Sequence, residues 1–303
     1  VGSRPRCAMA SESAATPVRA DATVVERAEV APGFVRLRLA LPRPGALPWL
    51  SAGQHVKLFA PNVSGSVPGE WNGQLDPEHG QGEVERRYTP VASSQEEGWF
   101  DVVVELITPA RAPPDGGKFG RFAAGLSVGD TIPVAFPHGV YRYIGAGRFL
   151  RRGGAAGPEE ELRAEDVALV CAGVASNTAL ALASAMLREP PEAAPRVWAV
   201  VACRTEDAFL HREALERLAA EHPGRLHLRL SLEKAAPPGW PHAVGGLAGA
   251  LETAHMPPAG ASTLLITMGA AKVRQTCREC FPALGYDAGG PGGAWWHWNE
   301  ELD

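Results

Sequence analysis

The spacing of hydrophobic residues changes character near the middle of the chain. In the first half, short β-branched or alternating apolar runs bounded by Pro and Gly occur at residues 22–26, 35–39, 55–59 and 99–106. Such runs are typical of antiparallel strands, and the segments between them show no helical period. The first half is therefore predicted to form a small antiparallel β-barrel.

A second pattern follows, in which fully apolar runs alternate with segments of helical spacing. The strands are predicted at 167–171, 197–203, 226–232 and 263–268, and the helices at 178–188, 211–221 and 272–284. Buried strands that alternate with helices are typical of a doubly wound α/β fold with a parallel sheet.

Together the two patterns predict a two-domain chain, and its 303 residues are roughly twice the ~150 of a typical domain. The predicted divisions are a disordered N-terminus at 1–21, a β-barrel at 22–145, a linker at 146–162, an α/β domain at 163–288 and a tail at 289–303. The Ala/Ser/Arg-rich residues 1–21 also fit part of a transit peptide, although disorder is the favoured interpretation. Residues 61–85, rich in Gly and Pro, are predicted to form a long exposed loop.

Composition and charge exclude several classes of protein. A net charge of −5 without a basic stripe argues against nucleic-acid binding. No apolar run approaches the ~18 residues of a membrane-spanning helix, so we expect a soluble protein, cytoplasmic or organellar. The five cysteines are too few and scattered for a disulfide scaffold, and Cys277 and Cys280 lack further ligands at zinc spacing, so no metal site is predicted.

The segment Arg86-Arg87-Tyr88-Thr89-Pro90 carries the sharpest candidate chemistry. A guanidinium presents a planar fork of donors that matches a phosphate, which suits Arg86. Tyr88 lies two residues further, on the same face of a strand, where its ring can pack against another ring system, and Thr89 adds a hydroxyl. These five residues fit an exposed basic edge strand equally well, so on their own they leave both interpretations open.

Further motifs occur in a fixed order around this segment: AGQHVKL, RRYTPVASS, GKF, VGDTI, PHG and GRF, within about residues 53–287. In this order the chain resembles the ferredoxin–NADP reductase superfamily, and within it the NADH–cytochrome-b5 reductases and the flavin domain of nitrate reductases. The resemblance implies an FAD-binding barrel followed by an NAD(P)-binding domain. It also implies an oxidoreductase that passes electrons from NADH or NADPH through FAD to a one-electron acceptor such as a haem protein.

The resemblance also implies contacts for the cofactor. It places the FAD diphosphate near Arg86, the flavin against Tyr88 and the polar edge of the flavin near Thr89. A second segment would meet the diphosphate through backbone N–H groups; it consists of Gly116, Gly117, Lys118, Phe119 and Gly120. The cofactor supplies the redox chemistry, so no side chain is predicted to act as a catalytic acid or base.

Two details of the barrel depart from the relatives' pattern. Gly120 stands where relatives usually have a serine, which removes one hydroxyl donor to the diphosphate. Glu105 stands where relatives often have a lysine, and we expect its carboxylate to point away from the diphosphate.

The nucleotide motifs depart further. Relatives carry G-G-T-G-I-T-P where residues 172–178 read AGVASNT, which leaves Gly173 and Val174 as candidate contacts. Their C-G-P-P motif corresponds to residues 268–271, MGAA, with Met268 and Gly269 as candidate contacts. The favoured interpretation is a reshaped, working site for a nicotinamide nucleotide. The alternative is a catalytically weakened flavin-binding or cofactor-free relative that acts as a binding or regulatory module.

Two further features stay open at the level of sequence. Arg204 favours the 2′-phosphate of NADPH, whereas Glu206 and Asp207 favour NADH, so the choice between the nucleotides is open. Residues 289–293 form a Gly/Pro linker into Trp295-Trp296-His297-Trp298, which could deliver an indole to the flavin face. A tail that packs on the surface or on a partner is the favoured interpretation.

Overall fold

The computed structural model describes residues 17–43, 50–94, 96–110, 112–152, 158–253, 256–286 and 294–298. The strands of the first half, in chain order, are β1 (Val18–Ala31), β2 (Phe34–Ala40), β3 (His55–Pro61), β4 (Glu70–Trp71), β5 (Gln74–Leu75), β6 (Glu83–Tyr88), β7 (Ala92–Ser94), β8 (Trp99–Glu105) and β9 (Thr131–His138). One helix, α1 (Lys118–Gly125), lies between β8 and β9.

Seven of these strands form one antiparallel sheet in the order β6-β3-β9-β1-β2-β8-β7. Side chains alternate between the two faces of this sheet. Leu37 and Leu39 are fully buried on one face, while Arg38 between them forms an ion pair with Asp101 on the other. The predicted antiparallel architecture is confirmed. The sheet is barrel-like and, within the described residues, does not close, because β6 and β7 remain its two edges.

A separate three-stranded sheet occupies most of the predicted linker at 146–162. Its strands are β10 (Tyr141–Gly145), β11 (Arg148–Arg152) and β12 (Glu159–Arg163). The Arg and Glu residues that suggested a solvated linker pair across neighbouring strands, as Arg148 does with Glu161 at 2.8 Å. Phe149 on the other face is fully buried. These cross-strand pairs and the buried ring explain why the segment is a sheet.

The second half is built on a six-stranded parallel sheet, which confirms the predicted fold class. Its strands are β13 (Asp166–Ala172), β14 (Arg196–Cys203), β15 (Leu226–Leu232), β16 (Ala243–Val244), β17 (Thr263–Met268) and β18 (Ala294–His297), in the order β16-β15-β14-β13-β17-β18. The helices that pack on it are α2 (Ser176–Leu187), α3 (Arg212–Glu221), α4 (Gly246–Thr253) and α5 (Ala271–Cys280). Among the described helices, none has both the length and the apolar character needed to cross a membrane.

The order of the parallel strands fixes where a ligand can bind. The chain runs outward from β13 through β14, β15 and β16, then returns to the other side of β13 as β17. At this reversal the carboxyl ends of β13 and β17 lie side by side, with Cys171 opposite Met268. Nucleotides bind outside the carboxyl ends of parallel strands at such a switch point.

The remaining differences concern the termini and the loop. Of the predicted disordered N-terminus, residues 18–21 belong to β1 and pair with β9, while residues 1–16 lie outside the described residues. The long loop at 61–85 contains the β4–β5 hairpin and the start of β6. Within the predicted tail, residues 294–297 form β18 beside β17 because their apolar run extends the parallel sheet.

Candidate functional site

A cavity of about 340 Å³ lies between the barrel-like sheet and the carboxyl edge of the parallel sheet. On the barrel side it is lined by His55, Arg87, Tyr88 and Thr89. On the other side it is lined by residues at or just after the carboxyl ends of β13 and β17, among them Val174, Thr178, Met268 and Gly269. The structure thus brings five of the predicted contacts to one cavity: Tyr88, Thr89, Val174, Met268 and Gly269.

Tyr88 stands at the centre of the barrel wall. It ends β6, and its ring packs at 5.4 Å from that of Phe119 in the first turn of α1. Burial raises the pKa of the Tyr88 hydroxyl, Arg86 opposes that shift, and the charge of Glu105 adds to it. Tyr88 therefore stays neutral and offers the cavity an aromatic ring with one hydroxyl. Glu105 lies near enough to this ring for its charge to act there.

One hydrogen bond joins the two walls of the cavity. The hydroxyl of Thr178, in the first turn of α2, donates to that of Thr89 at 2.9 Å. Asn177 beside it is held by His211, whose Nε2 lies 2.7 Å from the Asn177 Oδ1. The first turn of α2 is therefore fixed against the barrel, directly beside the predicted flavin contacts.

The turns after β13 and β17 accommodate the altered motifs without strain on non-glycine residues. Gly173 has φ +60 and Gly269 has φ +131, conformations that favour glycine, and both positions are glycine. Ala175 has φ −66, so its backbone conformation does not require glycine. Met268 is fully buried at the floor of the cavity. The turn keeps the backbone shape in which a helix N-terminus faces a ligand.

The Trp-rich tail contributes directly to the cavity, so the favoured prediction of packing on the surface or on a partner was wrong. The Trp298 indole N–H donates to the Gly53 carbonyl at 2.8 Å, and its ring stacks on Tyr141 at 5.0 Å. Trp298 is 7% exposed and lines the cavity beside Tyr88. The tail was misjudged because the Gly/Pro segment before it suggested a linker, whereas its apolar residues add a strand to the sheet.

Of the other predicted contacts, Gly173 lies in the turn after β13. The rest form a second group beside this cavity, which the contact between the Tyr88 and Phe119 rings joins to it. Arg86 projects from the same strand face as Tyr88, and its guanidinium forms a two-pronged ion pair with Glu78 at 2.6 and 3.0 Å. Lys118 donates to both carboxylate oxygens of Asp76 at 2.8 and 2.7 Å. Pairing with Arg86 lowers the pKa of Glu78, and pairing with Lys118 lowers that of Asp76. Both carboxylates are therefore ionised at neutral pH.

The glycines of this second group form a cradle in which side chains do not fit. A Cβ on Gly116 would lie 2.6 Å from the Ile107 carbonyl oxygen, and one on Gly120 would lie 2.9 Å from the Ile107 nitrogen. The backbone of Ile107 thus leaves no room for a side chain at Gly120. Gly117 precedes α1, whose first i to i−4 bond runs from the Arg121 N–H to the Gly117 carbonyl.

The residues present fit FAD. The N–H groups of residues 118–120 precede that first helical bond, so they are available to a phosphate at the start of α1. Arg86 offers its guanidinium beside them through a half-exposed pair with Glu78, and Tyr88 with Thr89 bounds a cavity large enough for a ring system. When bound, FAD would be held by these two neighbouring groups of residues.

His55 makes the stability of the protein depend on pH. Burial, together with the charge of Arg87, lowers the pKa of His55 to about 3, and burial lowers that of His211 to about 4. An unfolded imidazole takes up a proton near pH ~6.5, so below that pH the unfolded state binds more protons. The free energy of unfolding is therefore expected to fall as pH drops below 6.5, by up to about 1.4 kcal/mol per pH unit for each histidine.

Urea unfolding at pH 7 and pH 5 measures this dependence. His55→Gln carries no titrating group at this position and should show a shallower loss between the two pH values, whatever its stability at pH 7. An unchanged slope in His55→Gln would show that His55 titrates normally in the folded protein.

Several residues of the site were not predicted from the sequence. His55, Thr178 and Asn177 line the cavity, and Asp76 and Glu78 hold the cations of the second group. The polar run Ser176-Asn177-Thr178 directly after a buried strand was a usable signal for Thr178 and Asn177. The residues next to Asp76 and Glu78 in the sequence do not indicate a role in the site, because the partners of these carboxylates depend on how residues 62–82 fold.

Comparisons with known proteins agree with this geometry. A family model described as "Siderophore-interacting FAD-binding domain" matches residues 23–141, and "Oxidoreductase NAD-binding domain" matches residues 169–278. NADH-cytochrome b5 reductase 1 of Bos taurus is 30% identical over 254 residues, which cover 83% of this chain and 77% of the relative. Nitrate reductase [NADH] 1 of Zea mays is 31% identical over 240 residues, 78% of this chain and 35% of the relative.

A solved structure shares the whole architecture. The cytochrome b5 reductase domain of Ulva prolifera nitrate reductase superposes with a TM-score of 0.75 at 23% identity, covering 92% of this chain and 97% of that one. None of these similarities supports the alternative of a cofactor-free binding module. The chain belongs to the NADH–cytochrome b5 reductase family, and it is an FAD-dependent oxidoreductase that uses a nicotinamide nucleotide.

Proposed function

We propose that this reductase takes electrons from NADH or NADPH and delivers them singly to a haem protein. The observation that carries the proposal is a cavity shared by both halves, in which the barrel residues Tyr88 and Thr89 face the carboxyl edge of the parallel sheet. The hydrogen bond between Thr89 and Thr178 fixes the distance between these walls. A flavin bound from the barrel side and a nicotinamide bound from the other side would therefore lie next to each other, as hydride transfer between them requires.

Each wall has its own task in this proposal. Arg86 and the segment of Gly116, Gly117, Lys118, Phe119 and Gly120 bind the FAD diphosphate. Tyr88 and Thr89 hold the flavin, and Gly173, Val174, Met268 and Gly269 bound the space for the nicotinamide. When bound, FAD would supply the redox chemistry, in which two electrons are accepted together and passed on one at a time.

The side chains of this chain position the reactants and exclude water. Met268 is fully buried and Trp298 nearly so, and together they give the cavity apolar walls. The neutral Tyr88 hydroxyl and the linked Thr89 and Thr178 hydroxyls are among the polar groups that line this cavity. Positioning of this kind needs no acid or base from the protein.

A haem protein is proposed as the acceptor because the relatives named above are cytochrome b5 reductases and a nitrate reductase. The matched FAD-binding model is named for siderophores, which makes a ferric siderophore the second candidate acceptor. Both candidates accept one electron at iron.

Steady-state assays with the FAD-loaded protein distinguish these acceptors. With NADH, and separately with NADPH, the reduction of cytochrome b5 is followed at its haem bands, and that of a ferric hydroxamate by trapping Fe²⁺. We expect saturable reduction of the haem protein at a higher kcat/KM than of the ferric chelate. Reduction of the chelate alone would contradict the haem-protein acceptor and favour the siderophore.

A further inference from the structure

A segment of the barrel covers the residues assigned to the FAD diphosphate. Residues 62–82, here called the insert, leave the sheet after β3 and return to it at β6. The two ends meet, since the Asn62 N–H donates to the Gly82 carbonyl at 3.1 Å. The insert therefore closes on itself at its base and projects the β4–β5 hairpin over the start of α1.

The insert is anchored to the glycine segment by a dense set of hydrogen bonds. Asp115 is 3% exposed and accepts from the Ser66 N–H at 2.7 Å and from the Asn72 N–H at 2.7 Å. The Asn72 side chain accepts from the Gly116 N–H at 3.1 Å, and the Trp71 indole donates to the Gly116 carbonyl at 2.8 Å. The insert thus has a defined seat directly beside the diphosphate residues.

Asp76 pairs with Lys118, and Glu78 pairs with Arg86 and also lies 3.4 Å from the Lys118 Nζ. The Lys118–Asp76 and Arg86–Glu78 pairs differ in burial. In the pair of Lys118 with Asp76 the side chains are 1% and 4% exposed. In the pair of Arg86 with Glu78 they are 39% and 20% exposed. A charge pair shut away from water is costly to separate, whereas a half-exposed pair exchanges partners readily because water can solvate each member.

We propose that the insert is a built-in competitor of the FAD diphosphate, in which Glu78 occupies the Arg86 guanidinium until FAD displaces it. A carboxylate and a diphosphate use the same two-pronged donor face of a guanidinium, so both cannot hold it at once. The buried pair of Asp76 and Lys118 keeps the insert attached during this exchange. FAD affinity is then set by the difference between two ion pairs of Arg86, and Glu78 weakens it.

This inference rests on the proposed binding of the FAD diphosphate at Arg86, and flavin titration tests the two separately. The apoprotein is titrated with FAD, and the quenching of flavin fluorescence gives Kd for wild type, Glu78→Gln, Arg86→Ala and the double variant. Glu85→Gln is the matched control, because Glu85 lies on β6 beside Arg86 and pairs with Lys57 at 2.9 Å instead of the diphosphate residues.

Glu78→Gln is expected to lower Kd for FAD by about three- to fivefold, as for loss of a partly exposed ion pair, while Glu85→Gln stays within about twofold. In the Arg86→Ala background the effect of Glu78→Gln should disappear, because the contested guanidinium is gone. An unchanged or higher Kd in Glu78→Gln would overturn the competition. Equal tightening with and without Arg86 would overturn it too, since simple charge repulsion would then explain the effect.

Binding by wild type with no gain in Glu78→Gln contradicts this inference and leaves the proposed function standing. If neither binds FAD, the proposed function fails and the inference fails with it. Asp76→Asn gives an independent check, because it removes the carboxylate that holds the buried Lys118 at 2.8 and 2.7 Å and leaves only Glu78 at 3.4 Å. It should lower the urea midpoint more than Glu78→Gln does, and equal midpoints would contradict the division between anchor and exchanging pair.

Discussion

Arg86→Ala is expected to raise the Kd for FAD by about 10- to 150-fold, which corresponds to a charged hydrogen bond of about 1.5 to 3 kcal/mol. The guanidinium leaves β6 on the same face as Tyr88, beside the N–H groups that open α1. Its loss removes the two-pronged donor to the diphosphate. The measurement is equilibrium titration of the apoprotein with FAD.

Arg19→Ala is the control for this variant. Arg19 forms a two-pronged ion pair with Glu83 on β6 at 2.8 and 2.6 Å, but it lies on β1 and its side chain is 51% exposed. Its removal should leave Kd for FAD nearly unchanged. Equal affinities of Arg86→Ala and wild type would show that Arg86 is an ordinary surface charge.

Gly53→Ala is expected to destabilise the fold by about 2 to 5 kcal/mol, the sum of left-handed strain and a steric clash. Gly53 has φ +92, and a Cβ there would lie 2.1 Å from a ring carbon of Trp298. The indole must therefore leave its place on Tyr141, which also removes one wall of the cavity. Urea unfolding, followed by tryptophan fluorescence, measures the loss.

Gly129→Ala separates the two contributions. Gly129 has a similar φ of +102, but a Cβ added there would meet no described atom within 4 Å beyond its chain neighbours. This control should lose only the about 1 to 2 kcal/mol of left-handed strain. If Gly53→Ala loses no more than Gly129→Ala, Trp298 does not occupy the position described.

The fold could be predicted from the sequence where local pattern and burial agree. The strands β13, β14 and β17 are buried on both faces, as is typical of a parallel sheet. Their almost unbroken apolar runs are therefore enough to predict them. The strand period likewise placed Arg86 and Tyr88 on one face of β6. Both inferences depend on neighbours within a few residues.

The site could be predicted less completely because its decisive contacts span long distances in sequence. Trp298, close to the C-terminal end, contacts Gly53 in the first half of the chain. Lys118, at the start of α1, contacts Asp76 within the insert. Gly120 is explained by the approach of the Ile107 backbone, which no pattern of residue types reveals. The predicted linker failed for a related reason, since its charges are satisfied by partners on other strands.

If the two halves bring a nicotinamide nucleotide to a bound flavin, the nucleotide reduces that flavin, and the change is visible in the absorption spectrum. The absorption spectrum of the purified, FAD-loaded protein is recorded anaerobically before and after addition of NADH. A parallel sample of the protein receives NADPH instead. We expect the flavin bands to bleach rapidly with at least one of the two nucleotides. Flavin bands that persist with both would contradict it.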